Sequence, residues 1–163
     1  MQLILFRHGI AVDRDDPDCP PDEARPLTPK GVKRTRAAAR GLATLAAPRL
    51  ILTSPLVRAR QTADLAAEAL GLGKRAIKVT TSLVPDALPD ELLEELMALR
   101  RNPVCCVGHA PNLDLVLAEA LGMRERPPVR LKKAGGACLE LDPGNGSRLV
   151  WVMEPGALRR LAG

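Results

Sequence analysis

The sequence predicts an α/β fold, a three-layer sandwich with helices on both faces of a mostly parallel central sheet. Two observations carry this reading. Short apolar runs of strand length alternate with longer helical segments, the pattern of strands joined by crossover helices. The helical segments also open on recognisable start signals, Thr28-Pro29 and Ser54-Pro55, each a capping hydroxyl followed by a proline. With no internal repeat and no linker long enough to divide them, residues 1–163 read as a single domain.

The elements follow in order. Residues 2–6 are a short apolar run ended by charged residues and glycine, which fits a buried strand. Residues 10–26 are dense in Asp and Pro and read as a loop. A helix capped by Thr28 runs to about Ala46, with Val32, Ala39, Leu42 and Leu45 inward and Pro48 as its stop. Residues 50–53 form a second strand, and Ser54-Pro55 opens a helix that ends near Leu70 with Gly71 behind it. Residues 76–80 are a third strand. The segment 89–100 is a helix with Asp90 and Glu91 at its anion-favouring end. Residues 104–107 form a fourth strand, followed at Gly108-His109-Ala110-Pro111 by a helix that closes near Leu121-Gly122. Two last strands, 137–141 and 149–153, join through Pro143-Gly144-Asn145-Gly146.

Composition narrows the function. The chain is 46% hydrophobic and 26% charged, ordinary for a globular protein, and 163 residues can bury a core without disulfide or metal staples. Aromatic residues are 1% of the chain, only Phe6 and Trp151, so a base-stacking platform is excluded and no nucleic-acid partner is expected. The formal net charge of +5 is compatible with anionic partners, but the basic residues are scattered rather than blocked. Cys19, Cys105, Cys106 and Cys138 form no Cys-x-x-Cys pair. As neighbours on a strand, Cys105 and Cys106 face opposite sides, which fits buried thiols in a reducing cytosol. The apolar start is too short for a signal peptide, and no stretch reaches the length of a membrane span. A cytoplasmic protein with no membrane partner is expected.

Both histidines occupy the same kind of place. His8 follows the first strand and His109 the fourth, and ligands of open α/β sheets bind beyond such carboxyl ends. Arg7 lies beside His8, and Arg58 lies early in the helix after the second strand. Two guanidiniums, two imidazoles and the helix starts at Pro55 and Pro111 make a poor cation site and a good phosphoryl site. One imidazole can attack phosphorus while the other groups stabilise the phosphoryl oxygens. Neither a metal nor another cofactor is required.

Three segments carry a resemblance. Arg7-His8-Gly9 after a strand resembles the signature of the histidine phosphatase, or phosphoglycerate mutase-like, superfamily. Residues Ser54 to Thr62 resemble its second motif and Val107-Gly108-His109 its third, all in the family's order. Within that superfamily the chain is most similar to small phosphohistidine phosphatases of the SixA type, through its length, the stretch Arg25 to Gly31 and the end around Trp151 to Pro155. The resemblance implies that His8 is the nucleophile, that Arg7, Arg58 and His109 are catalytic and bind the phosphoryl group, and that Gly9 belongs to the substrate-binding segment. It further implies a phosphohistidine intermediate and, as substrate, a phosphorylated protein of the histidine phosphotransfer kind or a small phosphate compound.

One departure is informative. Mutases and many sugar phosphatases carry an acidic Glu after the third strand, whereas Ser82 to Pro89 contains none, and Asp86 and Asp90 are its nearest carboxylates. A phosphoramidate expels imidazole, a far better leaving group than an alkoxide, so it can dispense with a general acid. Alternatives are a small-molecule phosphomonoesterase with Asp86 as the acid, and a non-catalytic module that binds phosphoproteins. Arg60 is read as surface, Lys132 and Lys133 as a solvated loop able to reach the pocket mouth. Asp13, Asp15, Asp16 and Asp18 lack EF-hand spacing and are read as a loop rimming the site.

Overall fold

The apolar runs at 3–6, 50–52 and 104–107 lack a polar alternation, so they need apolar cover on both faces. The computed structural model, which describes residues 1–99, 103–123, 127–142 and 144–163, supplies that cover. In chain order its elements are β1 (Gln2–Arg7), α1 (Pro29–Leu45), β2 (Leu50–Thr53), α2 (Val57–Leu70), β3 (Ile77–Val79), α3 (Pro89–Ala98), β4 (Val104–Gly108), α4 (Asn112–Ala120), β5 (Gly136–Glu140), β6 (Arg148–Met153) and α5 (Pro155–Leu161). The strands form one sheet in the order β3-β2-β4-β1-β5-β6. The first four are parallel, while β5 pairs antiparallel with both β1 and β6.

Strand alternation sorts the core into two layers. Leu3, Leu5, Leu52 and Cys106 face α3 and α4, where Leu92, Leu96, Leu113 and Leu117 cover them. Ile4, Phe6, Ile51 and Cys105 face α1, α2 and α5, against Ala38, Leu42, Ala63 and Leu158. The adjacent cysteines thus lie in opposite layers, and both thiols are free and buried. The three-layer sandwich read from the sequence is the observed fold.

Local chemistry fixes the helix ends. The Thr28 hydroxyl accepts from the Gly31 amide at 2.9 Å, with Pro29 in the first turn. Along α1, Ala39 and Leu42 are buried, while Val32 and Leu45 are half-buried. Gly41 lets α1 touch the backbone of α5, since a Cβ there would lie 1.8 Å from the Leu158 carbonyl oxygen. Even alanine, the better helix former, would push α5 away.

Several boundaries depart from expectation. Helix α2 starts at Val57 with Leu56 as its N-cap, not at Ser54-Pro55. The Ser54 hydroxyl still accepts from the Leu56 amide at 3.3 Å, so it supports the turn into α2 without being its N-cap, and it also serves the site described below. Residues 74–76 form a 3-10 turn, which shortens β3. The loop 10–26 contains a 3-10 turn at Asp22–Ala24 and a bridge between Ala11 and Leu27. Helix α5 was not anticipated; seven residues containing a glycine give little periodicity, and its place is set by Leu158 docking on α1. Arg100, the expected end of α3, and Pro143 lie outside the described residues. No described helix is long and apolar enough to cross a membrane.

Candidate active site

The sheet register places the two histidines together. Arg7 on β1 pairs with Gly108 on β4, so the next residue of each parallel strand, His8 and His109, leaves the sheet side by side. Thr53 on β2 pairs with Val107, which brings Ser54 level with Gly108, one residue before His109. The backbone pins this edge: the His8 amide donates to the Gly108 carbonyl at 2.9 Å and the Ser54 amide to the Val107 carbonyl at 3.1 Å. The imidazole centroids are 4.8 Å apart, with the rings tilted by 53°.

His8 is held in one tautomer. Its Nδ1 lies 2.7 Å from the Gly9 carbonyl oxygen, which can only accept, so Nδ1 carries the proton and Nε2 keeps a lone pair. Gly9 is itself fixed, its amide donating to Thr62 Oγ1 on α2 at 3.1 Å. A Cβ at Gly9 would lie 2.0 Å from Thr35 Oγ1 on the wholly buried face of α1, so this turn has no room for a side chain. His109 Nε2 meets the Ser54 hydroxyl at 3.0 Å.

Arg7, His8, Arg58 and His109 line one pocket of about 420 Å³, predominantly polar, with Arg25, Lys133, Asp13, Asp15 and Pro85 also in its wall. Four of the five residues singled out from the sequence therefore converge; Gly9 does not line the pocket but holds His8 through its carbonyl. Arg7 Nη1 donates to the Leu131 carbonyl at 2.6 Å, and the Leu131 amide donates to Asp114 at 2.9 Å, which braces Arg7 from α4. Three buried nitrogens here, Arg7 Nε, Arg58 Nε and His109 Nδ1, have no hydrogen-bond partner among the described residues. Buried polar groups are normally paired. The two guanidinium nitrogens are donors, and His109 Nδ1 is a third in the tautomer whose Nε2 accepts from the Ser54 hydroxyl; together they suit the oxygens of a tetrahedral anion.

One arrangement was not legible beforehand. Asp22, in the loop after β1, accepts from Arg58 Nη2 at 3.0 Å and from Arg25 Nε at 2.9 Å, and Arg14 Nε adds a third bond at 3.0 Å. Arg58 Nη1 also donates to the Asp22 carbonyl at 2.6 Å. Burial pushes the Asp22 carboxyl up, but the three arginine hydrogen bonds and the Arg58 charge outweigh it and hold the group below the usual carboxylate range. A carboxylate so held fixes the orientation of the Arg58 fork. Nothing in the sequence separates Asp22 from its acidic neighbours, because its partner lies 36 residues away.

Other expectations divide. Asp13 and Asp15 do rim the pocket, and Lys133 reaches its mouth, whereas exposed Lys132 turns to Glu154 at 2.8 Å. Asp86 is exposed and does not line the pocket. Arg60 is exposed, as its register on α2 implied.

Comparison with known proteins gives this geometry a lineage. The model of the histidine phosphatase superfamily (branch 1) matches residues 3–83. An uncharacterized protein of Picosynechococcus sp. is 41% identical over 140 residues, covering 83% of this chain and 82% of that protein. The phosphohistidine phosphatase SixA of Escherichia coli (strain K12) is 31% identical over 159 residues, 95% of this chain and 94% of its own length. This chain belongs to the histidine phosphatase superfamily. Within the superfamily it is of the SixA type: the solved structure of the protein histidine phosphatase SixA complexed with tungstate matches with a TM-score of 0.84 at 27% identity, over 97% of this chain and 99% of that one.

In this histidine phosphatase the imidazoles are neutral across the ordinary pH range. Burial, then His109 and the Arg58 and Arg7 charges, push His8 down to about 2, against the pull of the Gly9 carbonyl. His109 falls to about 3, first through burial and then through Arg58 and Arg7, with Asp22 opposing. A sign follows for stability. The unfolded chain takes up protons on both histidines near pH 6.5, while the fold refuses them until far lower pH. Stability is therefore fully present above about 6.5 and lost on acidification, by roughly 1 kcal/mol per histidine between pH 7.5 and 5.5. Denaturant midpoints at the two pH values check this, and a His8→Asn/His109→Asn variant is expected to show a flatter profile.

Proposed function

We propose that this protein is a metal-independent phosphatase that transfers a phosphoryl group to His8 Nε2 and acts on phosphohistidine in proteins. The observation that carries the reading is the lone pair on Nε2, set by the Gly9 carbonyl, beside unpaired buried nitrogens on Arg7, Arg58 and His109. The tungstate bound by the related SixA structure is a tetrahedral oxyanion, which supports the same use for this pocket.

In the first step Nε2 forms a bond to phosphorus as the phosphorus–nitrogen bond of the substrate breaks. The substrate's imidazole leaves neutral, having taken a proton from water on its remote nitrogen. His8 keeps its Nδ1 proton, and its phosphorylated ring is cationic, stabilised by the Gly9 carbonyl. In the second step water attacks phosphorus, the bond to Nε2 breaks, and His8 regains its starting form while the water proton passes to phosphate or solvent. Arg7, Arg58 and His109 hold the equatorial oxygens in both steps. The intermediate is itself a phosphoramidate, so one leaving-group chemistry serves both halves and neither needs a carboxylic acid.

A second reading, a small-molecule phosphomonoesterase, draws on Asp13 and Asp15 in the pocket wall, which could protonate an alkoxide. Turnover of phosphohistidine and of alkyl phosphates by the same preparation, with EDTA present, discriminates. The phosphohistidine reading expects kcat/KM for phosphohistidine to exceed that for alkyl phosphates by at least about a hundredfold, as general-acid assistance is worth roughly that much. A preference for alkyl esters that disappears in Asp13→Asn or Asp15→Asn would move the assignment to the second reading.

A further inference from the structure

Beside the active pocket lies a second hollow of about 330 Å³ that shares Arg7 and Lys133 with it. Its walls bring together Arg34 of α1, Lys132 and Lys133 of the loop before β5, and Arg159 of α5, and no Asp or Glu lines it. These segments are far apart in sequence, and the close seating of α5 on α1 through Gly41 is what gathers them. Lys132 has a surface pair with Glu154, which contributes little. Arg34, Lys133 and Arg159 have no carboxylate partner among the described residues. By contrast, the arginines around the active pocket do have a counter-charge, Asp22, which pairs with Arg14, Arg25 and Arg58. Cations gathered without a counter-charge repel one another and raise the local potential, which favours an anionic ligand.

We propose that this hollow receives acidic side chains flanking the phosphohistidine of a protein substrate, so that carboxylates rest beside Arg34 and Arg159 while the phosphoryl group enters between His8 and His109. The inference rests on the phosphohistidine reading above and adds the partner's chemistry to it. Continuity of the hollow with the pocket through Arg7 and Lys133 is what lets one ligand occupy both, and free phosphohistidine is too small to do so.

Three probes test it: free phosphohistidine, a peptide whose phosphohistidine is flanked by Asp and Glu, and the same peptide with Ser at those positions. The variant is Arg34→Ser/Lys132→Ser/Arg159→Ser, and none of the three residues lines the His8 pocket. For the unaltered protein at low salt, kcat/KM on the acidic peptide is expected to exceed that on the Ser peptide by at least about tenfold, with the advantage shrinking as salt rises. In the variant the ratio falls close to one, while turnover of free phosphohistidine is unchanged, which also reports an intact fold. Equal rates on the two peptides, or a preference that survives in the variant, would overturn the proposal. Fluorescence anisotropy of the unphosphorylated acidic peptide reads the hollow without catalysis, and its binding should weaken in the variant. If no probe is hydrolysed but this binding behaves as expected, the phosphohistidine reading fails and the anion site stands. A labelled single-stranded oligonucleotide that competes better than the acidic peptide would overturn the assignment to a protein partner.

Discussion

Replacing His8 by asparagine is expected to lower kcat on phosphohistidine by roughly ten-thousand-fold or more, the scale seen when a covalent nucleophile is removed. Asparagine can still donate to the Gly9 carbonyl, so the turn and the pocket should survive, as an unchanged unfolding midpoint at pH 7.5 would show. What it lacks is a nitrogen lone pair where His8 presents Nε2. His109→Asn is expected to be milder, at roughly a hundred- to a thousandfold, because the proposed mechanism has His109 stabilise oxygens rather than form the bond. Steady-state kinetics on both variants check the ordering. Turnover by His8→Asn within tenfold of the unaltered protein would place the nucleophile elsewhere.

The second large effect belongs to Arg58. Its side chain is 2% exposed, and its two terminal nitrogens are committed to Asp22. Arg58→Ala is expected to cut kcat/KM by roughly a hundred- to a thousandfold and to weaken inhibition by inorganic phosphate in step. Arg58→Lys should rescue little of this, since an ammonium cannot hold Asp22 and a phosphoryl oxygen through one planar fork. Asp22→Asn tests the positioning role. It keeps the side chain's shape but removes the charge that orients the guanidinium, so about a tenfold loss in kcat/KM is expected, with Arg58→Ala/Asp22→Asn no worse than Arg58→Ala alone. Additive losses would mean that Asp22 acts independently of Arg58. A loss under threefold in Arg58→Ala would remove Arg58 from the phosphoryl site.

What could be read from the sequence, and what could not, divides along physical lines. His8 and His109 were legible because each follows a short apolar run, and parallel strands deliver their carboxyl ends to one edge of a sheet. Arg58 was legible through its spacing from Ser54, although the role of Ser54 was misjudged. A serine before a proline signals a cap, but here the hydroxyl is shared between the Leu56 amide and His109, and the helix begins at Val57. Asp22 and Arg25 act only through a loop folded back on α2, and no local pattern encodes that contact. The gathering of Arg34, Lys133 and Arg159 was hidden for the same reason, compounded by the missed α5. Asp86 looked like a candidate acid because it stands near the family's acidic position in the chain, yet the pocket is lined instead by Asp13 and Asp15.

The central claim is that phosphorus becomes covalently bound to Nε2 of His8. The most direct measurement mixes the protein with radiolabelled phosphohistidine substrate, quenches it in alkali within the first turnover, and maps the label by peptide mass. The account predicts phosphate on the peptide containing His8, stable in alkali, released in acid and absent from His8→Asn. Label on another residue, or full turnover with no protein-bound phosphate at any quench time, would contradict it.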